Sequence, residues 1–370
     1  MNLSYWELKS WFSAIDYTIV GSGITGLHAA LRLRERFPVA KILVLEKGAM
    51  PEGASTKNAG FACFGSLSEI VDDLESQSPE DVVRLIAKRR AGLELLVNRL
   101  GAGNIGLEPN GGYELFEAAD RDLYESCFAR REEINALLRP EFGADVFRIV
   151  ENNFGFDRIH PKMILNPFEA QIDTGRMMRA LLAEAYRNNI MILNRQTVTA
   201  HEDFGSHVEV SLGDFAFKTG KLLWATNGFA SAITDGEVIP ARAQVLITAP
   251  IPDLAIKGTF HLDRGYYYFR NIDNRILLGG GRNLDFQGET TTDFGQTEII
   301  QQKLENLLKE VILPNTPFTV ERRWSGIMGM GEAKSPVIKK LSDNVGCGVR
   351  LGGMGVAIGS LVGRELADLF

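Results

Sequence analysis

The chain has 370 residues, of which 45% are apolar and 24% charged, and a formal net charge of −7 at pH 7. That length exceeds one simple core and suits two joined domains, while the acidic balance speaks against nucleic acid, which asks for a basic face. The three cysteines, Cys63, Cys127 and Cys347, form no CxxC pair and the five histidines show no HExxH spacing, so a disulfide framework and a zinc centre are not expected and a reducing compartment fits.

Residues 1–17, MNLSYWELKSWFSAIDY, lack the basic-then-apolar layout of a leader, and Trp6, Trp11 and Phe12 are expected on the domain surface. No apolar run reaches the roughly 18 residues of a membrane span. The expectation is a cytoplasmic protein with no metal, no nucleic-acid partner and no membrane span.

The first strong element is a buried strand, DYTIV, running into GSGITG; a helix follows through ITGLHAALRLRERF, then a strand, KILVLE. That is a βαβ unit. After about residue 75 the pattern becomes helical. Ser78-Pro79-Glu80-Asp81 sets an N-cap, a proline at the first helical position and an acid three residues after the cap. Val82, Ile86, Leu93, Leu96 and Leu100 continue the stripe to Gly101, where a helix can end. A charged helix is predicted over AADRDLYESCFARREEINALL, and another, TGRMMRALLAEAYRNN, capped by Asp173. The short strands IMIL, TVTAHE, HVEVSL, FAFK and KLLWAT follow, with a Gly213-Asp214 turn between the third and fourth. From Ile239 the pattern is strand: ARAQVLITAP, GYYYFRN and RILLGGG, the last two joined at Asp273-Asn274. A helix over TEIIQQKLENLLKEVI precedes a final strand and helix in VGCGVRLGGMGVAIGSLVGRELADLF. The reading is α/β: a Rossmann-like domain from residues 1–75, 151–235 and 325–370, with an inserted mixed-sheet α+β substrate domain from 76–150 and 236–324.

Gly21-x-Gly23-x-x-Gly26 lies between a strand and a helix, and Glu46 ends the next strand. The first glycine permits a tight turn, the second lets backbone approach a pyrophosphate, and the third lets the helix pack on the strand. The helix N-terminus adds partial positive charge, and Glu46 suits a ribose. Two further glycine-rich stretches distinguish the pattern from a plain NAD site. One is PEGASTKNAGFACFG, residues 51–65, whose small residues let backbone come close to something flat. The other is RLGGMGVAIGS, in which a helix beginning near Gly355 would aim its N-terminus at a ring system. Reduced flavin carries negative charge that a helix dipole stabilises.

These segments, DYTIVGSGITG…VLEK, GASTKNAG, LLWATNGFA and RLGGMGVAIGSLVGRELADL, resemble the D-amino-acid oxidase, glycine oxidase and sarcosine oxidase family of FAD-dependent oxidoreductases. ASTKNAG is similar to the loop of the branch that oxidises amines such as γ-glutamylputrescine. The resemblance implies that Gly21, Gly23, Ile24, Gly26, Glu46 and Lys47 hold the dinucleotide, Val198 meets adenine, and Thr226, Asn227 and Gly228 flank the dinucleotide loop. It implies that Ala54, Ser55, Asn58, Ala59 and Gly60 line the flavin and that Gly353, Met354, Gly355 and Val356 cover its pyrimidine end. The reaction implied is oxidation of a C–N bond in a small amine or amino-acid derivative, with hydride passing to flavin N5 and the imine hydrolysing. The electron acceptor would be O₂ or a carrier.

Two family features are missing. The carboxylate-binding Arg expected after Trp324-Ser325-Gly326-Ile327 is Met328, and the Lys of sarcosine oxidases is Ala357. Arg242, Arg270 and Arg323 stand as substitutes, with Tyr266, Tyr268 and Met328 as further candidates for the substrate cavity. No Cys lies around Met328, so FAD is expected to be non-covalent; Cys63, three residues past Gly60, reads as a small buried residue with a redox or covalent role as the alternative. Oxidation of a C–OH bond in a 2-hydroxy acid or glycerol-phosphate-like alcohol, with His261 as base, is the second reading, and a non-catalytic FAD-binding protein the third.

Overall fold

The structure, a computed structural model, describes residues 2–370. Its first sheet is built around five parallel strands in the order Val345–Val349, Phe215–Trp224, Ile15–Val20, Ile42–Glu46 and Met191–Asn194, with Val337–Lys340 antiparallel at one edge. The sheet buries apolar side chains on both faces, Ile19, Ile42 and Val44 against the helices and Val20, Leu43 and Leu45 in a core shared with the strand residues Val208, Val210 and Phe217. The expected strands FAFK and KLLWAT are one continuous strand. Gly220, between them, presses on the neighbouring chain: a Cβ there would lie 2.7 Å from the Asp16 carbonyl.

Helix Ile24–Arg36 leaves the first strand with Gly23 at its N-cap and buries one side under the sheet. Helix Gly355–Ala367 lies against it, and helix Pro79–Leu100 packs on the other side of Gly355–Ala367. Glycines set these contacts. A Cβ on Gly363 would come within 2.3 Å of the Thr25 carbonyl, and one on Gly92 within 2.2 Å of the Ala357 carbonyl. The predicted stripe of Pro79–Leu100 is buried at Val82, Ile86, Leu93, Leu96 and Leu100. Helix Leu67–Ser76, capped reciprocally by Ser66 and Glu69, was not anticipated.

The second sheet runs Val320–Met330, Ile239–Thr248, Arg275–Gly280, Tyr267–Ile272, Thr259–Leu262, Gly112–Glu114, Lys162–Asn166 and Arg148–Glu151. All neighbours are antiparallel except Thr259–Leu262 with Gly112–Glu114. Sheet membership differs from the expected partition in two places. Lys162–Asn166, assigned to the first domain, pairs in the second sheet, and Val320–Met330 stays in that sheet past residue 325. Helix Pro79–Leu100, assigned to the substrate domain, packs on the first.

Trp6 and Trp11 are exposed, whereas Phe12 is buried against Phe215 and Phe217. Among the described residues no helix is long and apolar enough to cross a membrane.

Candidate active site

A continuous cavity of about 580 Å³ runs between the two sheets, from the glycine turn after the first strand to the face of the second sheet. At its first end Gly21 takes φ +105°, and a Cβ there would lie 2.8 Å from the Ala225 carbonyl; only glycine fits. Gly23 has no side chain to cap helix Ile24–Arg36, so the Ser55 hydroxyl does so, accepting the Ile24 N–H at 3.0 Å. The loop of small residues is thereby brought onto the helix N-terminus. Glu46 is buried and accepts from Ser22 N and Ser22 Oγ at 3.0 and 2.8 Å and from Gly48 N at 3.0 Å. A carboxylate has about four acceptor positions, which leaves one for a ribose hydroxyl.

Loop 54–60 is folded by Asn58. Its amide donates to the Ala54 and Ser55 carbonyls, and its Oδ1 accepts from Gly60 N and Thr174 Oγ1. Trp324 Nε1 donates to the Lys57 carbonyl at 2.9 Å, tying the loop to the second sheet. Across the cavity, helix Gly355–Ala367 begins with no side-chain cap. Gly355 and Val356 line the cavity, so their amides and the helix dipole are directed at whatever occupies it.

One row of cross-strand neighbours, Glu114, His261, Tyr268, Gly279, Val245 and Trp324, crosses the second sheet at the far wall, and His261, Tyr268 and Val245 of that row line the cavity. The Tyr268 ring lies over Gly279, where a Cβ would meet its hydroxyl at 2.7 Å. Burial pushes the Tyr268 phenol up to about 12, so it stays protonated. Phe61 meets both His261 and Tyr268 edge to face, with centroids 5.2 and 5.5 Å away. Behind His261 stands Glu169, 3.5 Å from Nε2 and fixed by Phe64 N at 3.1 Å. Burial alone would lower the imidazole, but Glu169, aided by Glu69 and Glu114, raises it above the usual histidine value. Glu114 is itself pushed up to about 7, chiefly by burial.

Of the residues singled out in the sequence, Gly21, Gly23, Ile24, Glu46, Lys47, Ala54, Ser55, Asn58, Ala59, Val198, Thr226, Asn227, Gly353, Met354, Gly355 and Val356 line the cavity. Gly26, Gly60 and Gly228 do not. Each is a packing glycine: a Cβ would meet the carbonyls of Gly21, Ile172 and Met328 at 1.9, 2.3 and 2.6 Å respectively. Tyr266, Tyr268 and Met328 line the cavity at the second sheet, while Tyr267 points into the opposite core.

Arg270 does not reach the cavity. It is buried with Nη1 donating to the Gly60 and Ile172 carbonyls at 3.1 and 2.6 Å, so it holds the loop and cannot also hold a substrate. Arg242 is consumed by Glu289, and Arg323 by Gln301 and Glu305. The cation the sequence reading missed is Arg282, which does line the cavity. Cys63 is buried with Sγ 3.6 Å from Met354 Sδ, and burial raises its thiol far above the ordinary range. With Glu169 and His261 it forms a group of three potential ligand atoms within 4.8 Å of one another. Glu169 Oε1 accepts from Phe64 N, while Oε2 lies 3.5 Å from His261 Nε2, which has no hydrogen-bond partner among the described residues.

These features fit an FAD. Glycine at 21 and 23 admits a close backbone approach, Glu46 keeps an acceptor, and the buried Thr226 Oγ1 and Gln196 Oε1 on the cavity wall have no partner. The FAD dependent oxidoreductase family matches residues 16–369. A gamma-glutamylputrescine oxidoreductase of Escherichia coli is 24% identical over 96% of this chain and 83% of its own length. A probable oxidoreductase, OrdL, of Haemophilus influenzae is 20% identical over 95% and 82%. Glycine oxidase from Geobacillus kaustophilus superposes with a TM-score of 0.75 at 18% identity, covering 96% of this chain and 94% of that one. Iminodiacetate oxidase from Chelativorans sp. BNC1 gives 0.75 at 20%, covering 95% and 94%. The chain belongs to the FAD dependent oxidoreductase family.

Proposed function

We propose that this FAD dependent oxidoreductase oxidises the C–N bond of a small amine or amino-acid derivative, with its FAD held non-covalently. The observation that carries the reading is the wall formed by Tyr268 and His261 of the second sheet with Phe61 packed edge to face on both, across one cavity from the uncapped helix start at Gly355. Bound FAD supplies the two-electron acceptor. The chain's own part is to hold the amine on the aromatic wall, where a ring face and a protonated Tyr268 hydroxyl can orient it. It also closes the reacting end from water with Phe61, Ile327 and Met328. Three relatives whose printed names denote amine or amino-acid substrates support the substrate class. The high thiol pKa of Cys63 supports a non-covalent cofactor, since the thiolate is the attacking species.

A second reading, oxidation of a C–OH bond, is favoured by one feature: the imidazole of His261 faces the cavity with Glu169 behind it, an arrangement suited to accepting a hydroxyl proton. Purified protein is acid-precipitated and the supernatant's visible spectrum taken; then FAD-loaded protein is mixed anaerobically with primary and secondary amines, amino acids and 2-hydroxy acids. Colour in the supernatant and bleaching by amines are expected. Colour kept in the pellet refutes the non-covalent claim, and bleaching by hydroxy acids alone refutes the amine reading.

A further inference from the structure

We propose that Arg282 is an anion anchor at the outer end of the cavity, so that the amine oxidised here carries a carboxylate several bonds from the carbon that reacts. The proposal rests on the C–N reading above and deepens it. The protein is acidic overall, yet the cavity wall carries three Lys and four Arg against two Glu. Most of these cations are committed elsewhere. Arg264 pairs with Asp72 at 3.3 Å and Lys334 with Asp73. Arg89 donates to the Phe64 carbonyl at 2.6 Å and Arg350 to the Ser335 carbonyl at 2.9 Å. Lys47 sits over the Phe229 ring, 3.5 Å from its centroid.

Arg282 differs. Among the described residues it makes no ion pair and its guanidinium donates no hydrogen bond; its one side-chain partner is the Phe286 ring, 4.8 Å away. The neighbouring acid cannot serve it. Glu289 Oε1 accepts from Arg242 and Gln244 at 2.7 and 2.9 Å, and Oε2 from Arg242 at 2.9 Å. A guanidinium partly withdrawn from water, with five donors that no protein group fills, is open to completion by an anion. Burial lowers its pKa.

Backbone geometry aims it. Strand Arg275–Gly280 ends at Gly280, with φ +124°, and Gly281 follows at +81°; a Cβ on Gly280 would lie 2.0 Å from the Tyr266 carbonyl. The chain is pressed onto Tyr266, and residue 282 is turned out of the strand's alternation. Tyr266 and Phe286 meet edge to face at 5.9 Å, and Phe286 is 46% exposed. Arg282 therefore stands in the outer wall, while the half-buried Tyr268 lies two residues, roughly 7 Å of extended chain, beyond Tyr266. A carboxylate on Arg282 and an amine on the Tyr268 row are ends of one extended molecule.

The test titrates FAD-loaded protein with pentanoate, acetate and 1-pentanol, following the visible flavin spectrum, in the parent and in Arg282→Gln and Arg282→Lys. Pentanoate should bind with a saturable spectral change, more tightly than acetate. Arg282→Gln should weaken pentanoate by about 10- to 100-fold, the loss of a charge-assisted fork, while 1-pentanol is unmoved and Arg282→Lys falls between. Equal weakening of both five-carbon probes, an unchanged pentanoate affinity in Arg282→Gln, or no pentanoate binding by the parent overturns the anchor. Acetate binding as tightly as pentanoate with an equal spectral change overturns its outer placement. Failure of every amine to bleach the flavin, with Arg282-dependent pentanoate binding intact, would remove the C–N reading and leave the anion site standing.

Discussion

Replacing Arg270 by Met separates a loop-holding role from a substrate-binding one. The side chain donates to three carbonyls, those of Gly60, Ile172 and Asn271, at 3.1, 2.6 and 3.1 Å. Each charged hydrogen bond is worth about 1.5–3 kcal/mol. Keeping the cation there is itself expensive: burial lowers its pKa from 12.5 to about 10, equivalent to about 3 kcal/mol. Two of the three carbonyls retain other donors, Gly60 from Ile172 N at 2.8 Å and Asn271 from Gln171 Nε2 at 3.4 Å. The Ile172 carbonyl is left alone. Methionine fills most of the volume without the charge, so the net loss is about 2–3 kcal/mol. At an unfolding entropy of about 0.8 kcal/mol/K for a chain this long, Tm should drop by about 3–4 °C. The assay is thermal unfolding of FAD-loaded protein, with FAD retention through gel filtration as the second readout, since loop 54–60 loses its tether. Lysine at 270 should fall short of rescue, because one ammonium cannot span three carbonyls. An unchanged Tm with a selectively raised substrate KM would refute the reasoning and return Arg270 to the substrate.

Gly363→Ala forces a methyl to 2.3 Å from the Thr25 carbonyl and 2.8 Å from His28 Cβ, and should destabilise by about 1–3 kcal/mol despite alanine's better helix propensity; an equal or higher Tm would show that helix Ile24–Arg36 is free to shift. The raised Glu114 carboxyl gives stability that is fully present below about pH 4.5 and is lost as pH rises through about 7. His261, also raised, gives stability present below 6.5 and lost as pH rises through its folded value. Tm should therefore fall between pH 5 and 8, and Glu114→Gln should flatten that fall by up to about 3 kcal/mol; identical pH profiles would remove the carboxyl from the account. Cys63 should react slowly with a thiol reagent in the folded protein and fully after denaturation, and Cys63→Ala should still release its flavin on acid precipitation; rapid labelling of Cys63 in the native state would contradict its burial.

The nucleotide half was readable because its constraints are local. A glycine turn, a strand of buried residues and an acid ending the next strand are contiguous signals, and the small-residue loop announces close backbone approach on its own. Helix Leu67–Ser76 was equally readable, since Ser66-Leu67-Ser68-Glu69 is a capping box, and was overlooked beside the stronger Ser78 start. The packing glycines were misplaced for a different reason. Gly60 and Gly228 sit in the same runs as cavity-lining residues, and which side of the backbone meets a neighbour depends on strands far away in sequence. Which arginine stands free at the cavity was least legible. Whether Arg242, Arg270 or Arg282 is free is decided by Glu289 and by the Gly60 and Ile172 carbonyls, none of which is a sequence neighbour of the arginine it engages or leaves alone. The Gly280-Gly281 pair before Arg282 was the available signal, because two turned residues at a strand end re-aim the next side chain.

Helix Gly355–Ala367, wedged between helices Ile24–Arg36 and Pro79–Leu100 on glycine contacts, sets an order of events in the cell. At roughly 5–20 residues per second, a ribosome releases the GxGxxG turn tens of seconds before it releases the helix that faces it across the cavity. During that interval the flanks around Thr25 and Gly92 are bare, and the parallel sheet lacks its strand Val345–Val349. Cofactor capture should accordingly follow completion of residue 367. A ribosome-stalled chain ending at residue 330 should bind holdase chaperones and retain no FAD, and retention of FAD by that chain would show that the first βαβ unit captures it unaided.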